Sequence, residues 1–215
     1  MSEITHLDTE SGVTRPVADV IAQLKAPVTV EQWAALEELR SHDLIAGRVK
    51  EKPDVAFWHE WMLLDLLWLL ENHVRGHDLG KLVCSNAPLR ISAYHGRRPD
   101  IFFIPKSLFH QVGKDLFNGV PPLVIEILSP NSITEDRVHK RREYAQLGIG
   151  EYWIVDFPNR TVEVYSLRQL GDATRDYELV ATARGNDVFR PAFFPGLEIP
   201  LADIWPTEFE NRTDD

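Results

Sequence analysis

The sequence is poor in cysteine, in basic charge and in long apolar runs. Its single cysteine, Cys84, excludes an internal disulfide framework and a cysteine-based zinc site. The most apolar segment, Trp61 to Leu70, contains Asp65 and is far shorter than the ~20 residues needed to span a bilayer, so no membrane association is expected. The opening MSEITHLDTE lacks a basic region followed by an apolar one, and no signal peptide is read there. Together these absences predict a soluble, cytoplasmic protein. Lysine and arginine number 23 against 33 acidic residues, a net charge of -10. That balance argues against broad, non-specific nucleic-acid binding but leaves room for a local basic site. No internal repeat and no low-complexity segment is present.

What is there suits a sizeable core: 44% hydrophobic residues and six tryptophans in 215 residues, a length that points to one main domain. The division expected is a polar, partly mobile extension over 1–26, a domain over 27–205, and a polar tail over 206–215. A short helix is possible from Val17 to Leu24. Thr29 reads as the N-cap of a helix from Val30 to Leu39. Two short strands turn at Ala46-Gly47. Asp54 reads as the cap of a long helix from Val55 to Val74 that ends near Gly76. Strand pieces follow at Lys81–Ser85 and Leu89–Ser92, broken at Pro88. After a buried strand at Ile101–Ile104, a loop runs from Lys106 to Gly119 with one helical turn near Leu108.

The most informative stretch runs from Pro121 to Asp156. Leu123 to Leu128 is an apolar run bounded by prolines, which reads as a strand buried on both faces. One residue breaks it, Glu126. A carboxylate inside a buried strand is costly unless a metal, a cation or hydrogen bonds satisfy it. Ser132 and Glu135 fit a capping box for a helix over Ile133–Leu147, stopped by Gly148. A second apolar strand, Glu151 to Asp156, completes a strand–helix–strand unit. Thr161–Tyr165 is its hairpin partner, Tyr177–Thr182 a further strand, and the Phe193–Ile204 tail packs across the sheet.

The order of motifs resembles a known family. Pro99-Asp100 opens a strand; Glu126 sits in Val124-Ile125-Glu126-Ile127-Leu128-Ser129-Pro130; Asp136, Lys140 and Tyr144 follow; Glu151-Tyr152-Trp153-Ile154-Val155-Asp156, Val162-Glu163-Val164-Tyr165 and Pro195-Gly196-Leu197 close the chain. From about Val28 to Ile204 this is similar to the Uma2 family of restriction-endonuclease-like proteins, within the PD-(D/E)XK nuclease superfamily. The resemblance implies an α/β (α+β) fold with a restriction-endonuclease-like core, a central mixed β-sheet flanked by helices. It also implies metal-binding carboxylates at the ends or bends of two neighbouring strands. Asp100 and Glu126 are then the ligands of Mg²⁺, with Mn²⁺ as an alternative and the Ile127 carbonyl as a further donor.

The superfamily lysine two residues after the glutamate is Leu128 here. Lys140, sharing a helical face with Asp136 and Tyr144, is its replacement as the water-orienting, charge-stabilising residue. In Uma2-like proteins a glutamate precedes the long helix; Asp43 takes that place as a fourth catalytic candidate. DNA is the expected substrate, with Arg97, Arg98, Arg137, Arg141 and Arg142 as phosphate contacts, and pairing into a homodimer is compatible with cutting two strands. Simpler readings stand beside these. Glu126 fits a structural ion pair with Lys140 or an arginine, and Asp136 with Lys140 fits an exposed helix pair. Tyr144 and His59 read as packed or solvated side chains. A non-catalytic interaction protein on the same fold, or an unrelated α/β domain with a neutralised Glu126, are the rival classes.

Overall fold

The computed structural model describes residues 16–84, 87–172 and 174–207. The expectations for the first 15 residues, for Ser85 and for the tail beyond 207 lie outside them. Two helices, α1 (Val17–Gln23) and α2 (Val30–Ala35), precede a small antiparallel sheet. Its strands are β1 (His42–Ile45), β2 (Arg48–Glu51), β4 (Leu89–Ser92) and β5 (His95–Arg97), in the order β2-β1-β5-β4. The long helix α3 (Phe57–Gly76) links it to the central sheet. That sheet contains β3 (Gly80–Cys84), β6 (Ile101–Pro105), β7 (Leu123–Ile127), β8 (Glu151–Asp156), β9 (Thr161–Gln169) and β10 (Arg175–Arg184), in the order β10-β9-β8-β7-β6-β3. Only β7 and β8 pair in parallel. Their crossover is the helix over 133–147, whose last part is α4 (Arg141–Leu147). A two-stranded ribbon, β11 (Val188–Phe189) with β12 (Ile199–Pro200), closes the chain. The expected mixed sheet flanked by helices is what forms.

Period-two alternation sorts the sheet residues into two layers. Ile101, Phe103, Leu123, Ile125, Ile127, Trp153 and Val155 face α3, with Met62, Leu66 and Leu70 against them. The tail packs on this same face, as expected, through Phe189, Phe194, Ile199 and Trp205. Phe102, Ile104, Val124, Leu128, Tyr152 and Ile154 face the other way, against Tyr144 and Ala145 of α4. Residue 126 belongs to this second set, so the Glu126 side chain points into the α4 layer. A third cluster, around Trp33, Leu39 and Leu44, joins α2 to the small sheet.

Several local expectations are corrected. Thr29 does cap α2, in a capping box with Gln32, but the helix breaks at Leu36 and resumes as a short 3-10 turn, Glu37–Leu39. Asp54 caps nothing: α3 starts two residues later than expected, after Ala56, without a side-chain cap. Ser132 and Glu135 do not form a capping box. The Ser132 hydroxyl instead serves the Ser129 backbone, and Glu135 turns to Lys50 and Arg97. The helix over 133–147 also widens into a π-helical turn, Glu135–Lys140, where the Arg141 N–H donates to the Asp136 carbonyl. Strand β5 had no counterpart among the expected elements.

Strand β5 matters because it carries Arg97 toward the centre of the molecule. It passes so close to α2 that a Cβ on Gly96 would collide with the Trp33 ring. Trp33 is fully buried and its indole N–H donates to the His42 carbonyl at 3.0 Å, so it cannot retreat. Gly96→Ala is therefore expected to lower unfolding free energy by about 1–3 kcal/mol, the scale of core overpacking, as read by urea denaturation.

Candidate active site

The register that pairs Ile101 with Ile125, continued by one residue, sets Asp100 across from Glu126. Both carboxylates are buried, at 9% and 1% exposure. The Ile127 N–H donates to Asp100 Oδ2 at 2.8 Å, so Asp100 caps the end of β7 as well as flanking it. On its other side His59 Nε2 lies 3.1 Å from the same oxygen. Burial alone pushes the Asp100 carboxyl up, but the His59 hydrogen bond and charge, with Lys52 and Lys140 nearby, hold it well below the usual range. Burial lowers the His59 imidazole, and Asp100, with Glu60 and Glu126, more than reverses this, so its pKa is raised.

Glu126 is met from the helix. Lys140 Nζ donates to its Oε2 at 2.9 Å, and the Tyr144 hydroxyl donates to Oε1 at 2.7 Å. Lys140 Nζ also lies 2.7 Å from Asp136 Oδ1. The π-helical turn carries both Asp136 and Lys140, and Tyr152 anchors it by donating to the Asp136 carbonyl at 3.0 Å. Such turns are frequent at functional sites, where they re-aim side chains. Burial would lower Lys140, yet Glu126, Asp136, Asp100 and Asp43 around it raise it well above the ordinary lysine value. Burial, reinforced by Asp100 and Asp136 and opposed by Lys140, pushes Glu126 up to about 8. The cluster thus holds Asp100, Glu126 and Asp136 around the Lys140 ammonium, with His59 on Asp100.

His59, Asp100, Glu126, Asp136 and Lys140 line one cavity of about 30 Å³, together with Lys52, Ser129 and Ser132. That is room for about two waters, at ~10–15 Å³ each. Among the described residues no group of three or more His, Cys, Asp or Glu side chains is placed to hold a metal. Mg²⁺, however, requires only one or two protein carboxylates and keeps several of its waters. Asp100 and Glu126 are hard oxygen donors on adjacent strands, a donor set of the kind that ion takes.

Asp43, the expected fourth member, lines the same cavity but is committed elsewhere. Its carboxylate accepts from Arg97 Nη1 at 2.9 Å and from the Arg98 N–H at 3.1 Å. Arg97 is the hub of this second network. It also binds Glu143 at 2.7 and 2.8 Å and Glu135 at 2.8 Å. Burial would raise Glu143, but its bonds with His95 and Arg97 hold it down at about 2.

The expected phosphate contacts are accordingly not gathered on one surface. Arg97 and Arg98 are buried, at 1% and 2% exposure, with Arg98 stacked 4.4 Å over the Trp33 ring. Arg137 pairs with Asp156 and Glu163, and Arg141 with Asp176 and the Tyr177 carbonyl. Arg142 alone of the five is exposed. Conversely, Asp136, Tyr144 and His59 take part in the cluster. Tyr144 and His59 had read as packing or solvated side chains. The helical face shared by Asp136, Lys140 and Tyr144 was the visible signal for two of these residues.

The family Uma2, described as "Putative restriction endonuclease", matches residues 28–202. Among solved structures, one described as "a putative nuclease belonging to DUF820" from Anabaena variabilis ATCC 29413 is similar in fold. Its TM-score is 0.65 at 19% sequence identity, covering 83% of this chain and 98% of that one. No curated protein matches the chain. Among the described residues no helix is long and apolar enough to cross a membrane.

Arg97 tests the division between structural and surface cations. Removing it leaves Asp43, Glu135 and Glu143 without their shared partner. Arg97→Ala is expected to cost about 3–5 kcal/mol, the scale of an uncompensated buried charge. Arg142→Ala, on the exposed side, should stay within about 0.5 kcal/mol. Urea denaturation of both variants checks this, and near-wild-type stability for Arg97→Ala would contradict the hub.

Proposed function

This chain belongs to the Uma2 family, and from that premise we propose that it is a Mg²⁺-dependent endonuclease hydrolysing phosphodiester bonds of DNA. The observation that carries the reading is the convergence of Asp100, Glu126 and the Lys140 ammonium from two adjacent strands and a helix. Asp100 and Glu126 would hold the ion. Mg²⁺ supplies, when bound, charge neutralisation at the phosphate and a more acidic water; Mn²⁺ suits the same oxygen donors. His59 and the Ile127 N–H fix the orientation of Asp100, and Tyr144 fixes that of Glu126. Lys140, held by Glu126 and Asp136, orients the attacking water and stabilises negative charge developing in the transition state. It replaces the superfamily lysine because Leu128, 3% exposed and packed in the α4 layer, has no charge to offer. Asp43 acts at one remove, by seating Arg97.

Of the arginines expected from the sequence only Arg97 lines the cleft where DNA phosphates would sit, and its guanidinium is engaged by acids, so other cations would meet them. Arg48, Lys50 and His139 line this cleft of about 420 Å³, which shares Glu135 with the site cavity. Lys50 is half-exposed and pairs with Glu135 at 2.8 Å.

A second reading is a non-catalytic interaction protein on the same fold. One observation favours it: the site cavity is narrow and Lys140 already occupies an oxygen of Glu126.

The metal experiment separates the two. His59 and the Ile127 N–H hold the Asp100 carboxylate in its charged form, so Asp100→Asn should melt below wild type without metal and gain nothing from millimolar Mg²⁺. Thermal melts with and without Mg²⁺ read this directly. A variant that responds as wild type does removes Asp100 from the site.

Lys140→Ala should lower the rate of DNA cleavage about 100-fold or more, the scale of losing one positioned electrostatic group, with little change in metal affinity. Lys140→Arg should rescue poorly, since its fork differs in shape and hydration. Single-turnover cleavage assays check both. Unchanged cleavage by Lys140→Ala would remove its role, and a wild type that cuts nothing with Mg²⁺ or Mn²⁺ would leave the second reading.

A further inference from the structure

Most hydrogen-bond donors in the site cavity are already committed. Lys140 serves Glu126 and Asp136, and His59 Nε2 stands on Asp100. The Ser132 hydroxyl donates to the Ser129 carbonyl at 3.3 Å and accepts from the Ser129 N–H at 3.0 Å. Ser129 itself is different. It lies two residues past the strand that carries Glu126 and is 3% exposed. Among the described residues its Oγ has no hydrogen-bond partner. Ser132 already holds both polar groups of the Ser129 backbone, so the turn does not need the Ser129 hydroxyl. Burying a hydroxyl without a partner costs stability, and a folded protein keeps few such groups. The cavity that Ser129 lines supplies a reason for this one.

Lys52 lines the same cavity. Its ammonium gives one bond, at 3.0 Å, to the Arg98 carbonyl, and an ammonium has three N–H donors. The Lys52 backbone N–H donates to the Ser41 carbonyl at 2.9 Å, which carries the β1–β2 pairing one residue past β2. Arg48, Lys50 and Lys52 are therefore two residues apart on one extended run and share a face. The first two line the neighbouring cleft and the third lines the site cavity. Pro53 and Val55, both exposed, also border the site cavity, so it opens to the surface beside Lys52.

We propose that Ser129 and Lys52 hold a non-bridging oxygen of the phosphodiester, at the inner end of this row of cations. The inference rests on the nuclease reading and assigns two residues that reading leaves without a role. Lys140 already serves two acids, so an incoming anion needs donors of its own. The Ser129 hydroxyl donates one hydrogen bond to the phosphate oxygen, and Lys52 adds a charge. An oxygen takes about the room of one water, and the cavity of about 30 Å³ has room for about two. The second position is left to the attacking water beside Lys140.

Fluorescence anisotropy of a labelled DNA duplex tests this, with Ca²⁺ in place of Mg²⁺ to suppress cutting. Ser129→Ala should raise Kd about 10-fold or more, the scale of one hydrogen bond to a charged group. It should leave the slope of log Kd against log salt unchanged, because the lost group is neutral. Lys52→Met should raise Kd and lower that slope by about 0.9. In thermal melts without DNA or metal, Ser129→Ala should match or exceed wild type, since its hydroxyl has no protein partner to lose. Three results would overturn the assignment while leaving the nuclease reading in place: wild-type DNA affinity in Ser129→Ala, a melt of that variant well below wild type, or an unchanged salt slope in Lys52→Met. A wild type that binds no DNA would overturn both. A wild type that binds DNA but cuts none with Mg²⁺ or Mn²⁺, with Ser129→Ala weakened, would overturn the nuclease reading alone and keep the phosphate site.

Discussion

A carboxylate in the middle of a strand buried on both faces constrains everything around it. Glu126 sits in the parallel pair β7–β8, where side chains of both layers are covered and the residue is 1% exposed. Each of its oxygens must therefore find a donor within the protein. Both donors come from the crossover helix, which must lie over β7 at a phase that brings Lys140 and Tyr144 to the same carboxylate. The wide turn at Glu135–Lys140 has its reason here. It places Asp136 beside Lys140, and the carbonyl at the turn is held by Tyr152 from the neighbouring strand. A hydrophobic residue at 126 would have packed more easily. The arrangement makes sense where a charge is wanted at that point.

Arg97 extends the same logic to the small sheet. Its guanidinium joins Asp43 of β1, Glu135 of the π-helical turn and Glu143 of α4. A planar five-donor group can serve several carboxylates at once in a way lysine cannot. Partners 38 to 54 residues away along the chain are gathered at one point, and the small sheet is thereby fixed against the helix that carries Lys140. Arg137 performs a parallel task on the other side, tying the same turn to β8 and β9 through Asp156 and Glu163. The basic character of this helix, which resembles a phosphate-binding face in sequence, is thus largely spent on internal acids.

The legible part of the site was the part written in local pattern. An apolar run broken by one glutamate, a proline-aspartate pair opening the next buried strand, and three residues four apart on one helix all announce themselves within short windows. The adjacency of Asp100 and Glu126 follows once β6 and β7 pair. His59 and Arg97 gave no such signal. His59 meets Asp100 across 41 positions, and nothing in the periodicity of α3 distinguishes a buried histidine that packs from one that orients a carboxylate. Arg97 and Arg98 beside Asp100 invited a phosphate reading, because sequence shows that a cation is present but not whether an acid from another element reaches it first. The missed capping box has the same cause. Glu135 had the correct spacing from Ser132, but Lys50 and Arg97 compete for its carboxylate and win.

The two faces of α3 connect these observations. Its inner face seats the helix through Met62, Leu66 and Leu70, and that seating fixes where His59 stands. A hydrogen bond of 3.1 Å to Asp100 tolerates only a few tenths of an ångström of drift before it weakens. The position of α3 is therefore part of the geometry of the candidate metal site, although the helix contributes no carboxylate to it. Its outward residues Phe57, Leu64 and Trp68 remain exposed, so this seating rests on the inner face, and a change at Met62, Leu66 or Leu70 reaches the Asp100 carboxylate through His59.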